Sequence, residues 1–171
     1  MSPAPDAVIR AERSGDHAMI RQVNEAAFGG AEEADIVESL RTEAAVLLSI
    51  VADADGRIVG HILFSRMWID SPGEAIAAVA LAPMAVLPAH QRQGIGGRLI
   101  RHGLDALRDA GERIVIVVGH PEYYPRFGFS SARARPLESP FPGDAFMALD
   151  LTPGALDGVQ GKVRYPRAFG L

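Results

Sequence analysis

The chain has no cysteine, which removes disulfides, thiolate metal sites and a cysteine nucleophile at once. Lys162 is the only lysine among 17 basic residues, so the positive charge is almost all arginine. Together with the abundant alanine, this reads as coding bias rather than function. No apolar run is long enough to span a bilayer. The opening residues Met1-Ser2-Pro3-Ala4-Pro5-Asp6 carry neither the basic nor the apolar part of a signal peptide. A cytoplasmic protein away from membranes is therefore expected. The net charge of −4 argues against a nucleic-acid partner. His17, His61, His90 and His102 fall at no mutual metal-ligand spacing, so no metal is expected. No Gly-x-Ser-x-Gly elbow and no Ser–His–Asp arrangement occurs. Neither repeats nor a low-complexity linker divide the chain. Its 171 residues, 48% of them apolar, suit one domain with a real core. The tail from Thr152 to Leu171 carries Val163, Tyr165 and Phe169, and is expected to pack onto that domain.

What is present reads as alternating strands and helices. Val8 to Glu12 suits a first strand. Ser14-Gly15-Asp16 offers a helix cap, after which Met19, Ile20, Val23 and Ala27 share a face. A second helix carries Ile36, Val37 and Leu40 beyond Gly29-Gly30. Val46 to Val51 and Ile58 to Trp68 form a hairpin about Asp53-Ala54-Asp55-Gly56. After Ser71-Pro72-Gly73, Ile76 to Val86 is a strand interrupted by Pro83, which predicts a bulge or an unpaired edge. A helix from Ile95 turns Leu99, Leu104 and Leu107 inward and ends at Gly111. Ile114 to Val118 reads as a central buried strand. Gly128-Phe129 leads into another short strand, and Ala145 to Leu151 reads as the last one. The strand–helix–strand unit should be parallel and right-handed. The fold class is α/β, a mixed sheet with helices on both faces.

Gln91-Arg92-Gln93-Gly94-Ile95-Gly96-Gly97 joins the proline-broken strand to the next helix. Glycines there admit a ligand close to the backbone, and the first helical amides lack internal partners. Such a junction suits a phosphate or pyrophosphate. A Walker loop would need Gly-x-x-x-x-Gly-Lys followed by Ser or Thr, and none occurs. The dinucleotide fingerprint would need a third glycine, and Leu99 stands there.

Gln91-x-x-Gly94-x-Gly96 after Leu81-Ala82-Pro83-Met84-Ala85-Val86-Leu87-Pro88 resembles the acetyl-CoA-binding motif of the GNAT superfamily of N-acetyltransferases. Tyr123-Tyr124-Pro125-Arg126-Phe127-Gly128-Phe129 resembles the superfamily's second conserved element. The likeness is close from about Ile76 to Phe129 and looser before it. Phe146-Met147-Ala148-Leu149 and Tyr165-Pro166 in the tail resemble a bacterial branch of predicted GNAT enzymes with mostly undefined acceptors. The resemblance implies a mostly antiparallel central sheet whose parallel strand pair splays apart. It implies acetyl-CoA as co-substrate, an amine as acceptor and frequent homodimers. Cofactor contacts are then expected from Met84, Ala85, Val86, Gln91, Arg92, Gln93, Gly94, Ile95, Gly96, Gly97, Arg98, Tyr124, Arg126 and Phe127. Pantetheine amides would pair with Met84 to Val86, and the pyrophosphate would rest on Gln93 to Gly97.

Acetyl transfer from a thioester to an amine needs a neutral amine, donors for the oxyanion and a proton for the leaving thiolate. The resemblance makes Tyr124 the acid; its phenol pKa near 10 is only modestly above the thiol's value of about 8.5. The backbone amide near Val86 is the candidate oxyanion donor. His120 and Glu122, just past the central strand, are candidate bases. Glu32, Glu33 and Asp35 lie where related proteins cover the acceptor; a water chain, or binding of the already neutral amine, would also serve. Trp68 and Phe141-Pro142 are candidates for an acceptor pocket. Arg126, Arg133 and Arg135 could meet a CoA phosphate or an acceptor carboxylate. The alternative reading is a non-catalytic acyl-CoA-binding or regulatory module, which would need no acid.

Overall fold

The computed structural model describes residues 6–141 and 143–171. Met1 to Pro5 of the opening segment, and Pro142 of the Phe141-Pro142 pair, lie outside the described residues. In chain order the elements are β1 (Val8–Ala11), α1 (His17–Phe28), α2 (Glu32–Thr42), β2 (Val46–Ala54), β3 (Arg57–Ser71), β4 (Glu74–Val86), α3 (Ile95–Asp109), β5 (Ile114–Val118), α4 (Ser131–Ala134), β6 (Leu137–Glu138), β7 (Phe146–Asp150) and β8 (Gly161–Arg164). The described strands form one mixed sheet with the path β1-β2-β3-β4-β5-β7. Every pairing on that path is antiparallel except β4 with β5.

Strand alternation sends successive residues to opposite faces. Ile62, Phe64, Val79, Leu81, Val115 and Val117 meet α3 through Leu99, Ile100 and Leu104. On the other face, Val51, Leu63 and Ala85 pack under Ile20, Val23, Val37 and Leu40 of α1 and α2. Further along that second face, Met67, Ile69, Ala78 and Ile116 are covered by Ala134, Leu156 and Val163. The expected two-faced sheet is therefore present, and α3 buries Leu99, Leu104 and Leu107 as its periodicity predicts.

Two expectations are corrected. Gly128-Phe129 does not lead directly into a strand; only a single bridge, Ser130 to Ala148, forms there, because Ser130 turns at once to cap α4. Nor does the strand at 146–150 close the sheet. β8 follows it, pairing with β6 and with Trp68–Asp70 of β3, on the edge that β2 has left.

A buried polar chain ties the N-terminal elements together. Asn24 of α1 donates from Nδ2 to Ile20 O, and the same nitrogen lies 3.2 Å from His61 Nδ1. His61 Nε2 is 2.9 Å from Ser49 Oγ, which donates to Glu12 Oε1 at 2.9 Å. Arg41 of α2 completes it on Glu12. With Ser49 donating onward, His61 must donate from Nε2 and accept at Nδ1, which makes it a neutral imidazole. Burial agrees, pushing His61 down to about 3.

Candidate active site

The site begins where β4 and β5 part. They pair only at Val79–Val115 and Ala80–Ile116, after which β4 runs on alone to Val86. A register shift against β3, from Phe64–Leu81 to Ile62–Met84, leaves Ala82 and Pro83 as a bulge. That is the interruption which Pro83 predicts. Beyond it the ladder parity can be read. Leu87 N donates to Val59 O at 2.9 Å, and antiparallel pairs alternate between bonded and unbonded. Gly60–Val86 and Ile62–Met84 are then the unbonded pairs. The N–H and C=O groups of Met84 and Val86 therefore point away from β3, into the gap between the strands. Val86 O accepts a hydrogen bond from Gln91 Nε2 at 3.0 Å, which ties the following loop to the strand end.

That loop takes its shape from two left-handed residues, Arg92 at φ 64° and Gly94 at φ 82°. The Gly94 value suits glycine, since a Cβ would be strained there. The N-terminus of α3 is thereby aimed, with free amides, at the same gap. Gly96 admits close neighbours: a Cβ on it would lie 3.1 Å from Tyr123 Oη and 3.5 Å from Met84 Cε.

Two hollows share Phe28, Met84, Gln91, Arg92 and Tyr123 and together make one cleft. The first, of about 570 Å³, runs along Met84, Ala85 and Val86 to the Gly94–Gly97 loop. Arg92 and Arg126 give it positive charge. The second, of about 770 Å³, lies at the strand fork against Leu81, Pro83, Val118, His120 and Tyr124.

Tyr124 is seated by the turn at His120, whose carbonyl accepts from Tyr123 N at 3.1 Å and from Tyr124 N at 3.3 Å. Its ring is only 8% exposed and stands edge-on to Tyr123 and Phe129. It crosses so close to Gly119 that a Cβ there would fall 2.3 Å from Cε2. Burial pushes the Tyr124 phenol up to about 12, with Tyr123 adding to the rise. Tyr123 is raised by burial too, against the pull of Arg126 and Arg101.

The residues singled out in the sequence thus fall into three groups. Met84, Ala85, Val86, Gln91, Arg92, Gly94, Ile95, Gly96, Gly97, Tyr124, Arg126 and His120 line the cleft. Gln93 and Phe127 flank it, Gln93 on the exposed side of the loop and Phe127 under Arg101, 4.9 Å from its guanidinium. Arg98 and Glu122 lie elsewhere. Arg98 Nη2 donates to Ala7 O at 2.6 Å, ahead of β1, and Glu122 is exposed outside the lining.

Arg133 is occupied by Asp150 and Asp157. Trp68 lies between Arg66 and Arg164, at the β8 end of β3. Phe141 stacks edge-on against Tyr165. Neither aromatic borders the cleft, which corrects their expected place at an acceptor pocket. Sequence reasoning missed Tyr123, Phe28 and Val118 as lining residues. Phe28 ends α1 directly before Gly29, a position that could have marked it as leaving the core face.

Comparison with known proteins follows the same lines. Residues 8–132 match a family model described as an acetyltransferase (GNAT) domain. The uncharacterized N-acetyltransferase YhbS of Escherichia coli K12 is 35% identical over 165 residues, covering 95% of this chain and 98% of its own. YjhQ of the same strain, also an uncharacterized N-acetyltransferase, is 43% identical over 130 residues, 74% of this chain and 72% of its own. The crystal structure of Escherichia coli YhbS with CoA superposes with a TM-score of 0.90, covering 100% of this chain and 96% of that one. A GNAT family acetyltransferase from Brucella melitensis, solved with acetyl-CoA, gives 0.80 at 42% identity, covering 95% and 97%.

Proposed function

The chain belongs to the GNAT acetyltransferase family, and from that premise we propose that it moves the acetyl group of acetyl-CoA to a primary amine. The observation that carries this reading is the open edge of β4. Met84 turns its backbone N–H and C=O, and Val86 its N–H, away from β3 along a cleft that begins at the Gly94–Gly97 loop and ends beside Tyr124. The amides of pantetheine match such an edge, as a further strand would. The loop amides, Arg92 and Arg126 suit the pyrophosphate.

Direction along the cleft follows from that fit. Val86 adjoins the loop and Met84 lies nearer the fork, so the thioester belongs beyond Val86. The N–H of Met84 then joins that of Val86 as a donor able to stabilise the oxyanion. The amine nitrogen attacks the carbonyl carbon and the C–S bond breaks. Tyr124 offers its proton to the departing thiolate. His120, which lines the fork side, takes the amine's proton in this reading, directly or through water.

Thiol release from acetyl-CoA, measured over a panel of primary amines, tests the reading. Amine-dependent release is expected. Binding of CoA with no release on any amine would instead fit a non-catalytic acyl-CoA-binding module.

A further inference from the structure

The fork end of the cleft differs in character from the loop end. Its one carboxylate is Glu33, at the start of α2. Of the nearby acids, Glu25, Asp35 and Glu38 are held by Arg21, and Glu32 is exposed outside the lining. Among the described residues Glu33 makes no ion pair, and it is half-buried. On one side of it the wall is apolar: Phe28 is 45% exposed, Val118 is 40% exposed, and Leu81 and Pro83 lie beside them, while Gln91, Arg92, His120 and the two tyrosines line the side that the donor shares. Large apolar side chains are left open at few places on this surface, and these two face one hollow.

A single carboxylate beside an apolar side of the hollow matches a single cation on an apolar body. It does not match a polyamine, whose several charges would need several carboxylates, nor an acceptor surrounded by polar groups that Phe28 and Val118 would desolvate. We propose that the acceptor is a monoamine carrying an aromatic or branched aliphatic body. Glu33 holds its ammonium as it enters, while Phe28 and Val118 bury the body. This inference rests on the acetyltransferase reading above and narrows its acceptor.

Steady-state kinetics with acetyl-CoA and phenethylamine, ethylamine, spermidine or a lysine-containing peptide tests it. Phenethylamine is expected to exceed ethylamine in kcat/KM by at least about tenfold, as burial of an aromatic body requires, and to exceed the other two. Glu33→Gln is expected to raise KM for phenethylamine by about tenfold through loss of a charge-assisted contact, with KM for acetyl-CoA unchanged. Phe28→Ala, at an exposed position, should shrink the preference for phenethylamine over ethylamine. Better turnover of spermidine or the peptide, or an unmoved KM in Glu33→Gln, would overturn this acceptor while leaving acetyl transfer standing. CoA binding without thiol release on any amine would overturn both.

Discussion

Burial raises the Tyr124 phenol to about 12, so its proton is held well beyond the neutral range. A thiol titrates near 8.5, so full transfer in the empty site would be uphill by about 5 kcal/mol. This is steeper than the ordinary tyrosine value suggests. Under the proposed mechanism Tyr124 would act as a hydrogen-bond donor whose proton follows the charge as it forms on sulfur, rather than as a free acid. Tyr124→Phe removes only the hydroxyl and keeps the edge-on packing with Phe129. It should lower kcat by roughly tenfold or more and leave CoA affinity, measured by calorimetry, nearly intact. An unchanged kcat would remove Tyr124 from the chemistry. Gly119→Ala tests placement rather than chemistry. Its methyl would meet the Tyr124 ring at 2.3 Å and push it aside, so kcat should fall with every functional group still present. A variant with unaltered turnover would mean that the ring position is not critical.

At the scale of elements, β4 and the Asn24–His61–Ser49–Glu12 chain have separate roles. The bulge at Ala82-Pro83 opens the edge of β4. The polar chain fixes α1 and α2 above β3 and so fixes Phe28 and Glu33 at the cleft. It also makes stability depend on pH. Burial holds His61 at about 3, below its unfolded value near 6.5. Glu12 lies below the usual carboxylate range; burial alone would raise it, but its hydrogen bonds to Arg41 and Ser49 outweigh that. In both cases the unfolded chain binds protons first. Stability is thus fully present above about pH 6.5 and declines as pH falls, through His61 first and Glu12 later. Between pH 7 and pH 5 His61 should cost up to about 2 kcal/mol, measurable by urea unfolding. His61→Gln should flatten that decline, and an equal slope in the variant would contradict the assignment. The bulge and the helix faces were legible in the sequence, because Pro83 cannot donate to a ladder and because apolar spacing follows the helical period. The polar chain was not, since its members come from the residue after β1, from α1, β2 and β3, and only tertiary packing brings them together.

Across the whole molecule, what the sequence revealed of the donor side lies within one contiguous stretch, from β4 through α3 to Phe129. There a local order of strand, glycine loop, helix and tyrosine turn builds the donor side by itself. The fork side is assembled from α1, α2, β5 and the turn after β5, so Phe28, Glu33 and Val118 become neighbours only through tertiary packing. Trp68 illustrates the converse: an aromatic that suggested a pocket lies at the far end of β3, held by β8. That strand escaped notice because Gly161-Lys162-Val163-Arg164 is too short to show a period. The donor identity is thus the most local property of the chain and the acceptor the least. Acetyl transfer is tested most directly by thiol release followed with acetyl-CoA alone and then with each amine added. Release that depends on the amine, with the acetylated amine recovered in equal amount, is the predicted result. CoA bound at the cleft with no amine-dependent release would contradict it.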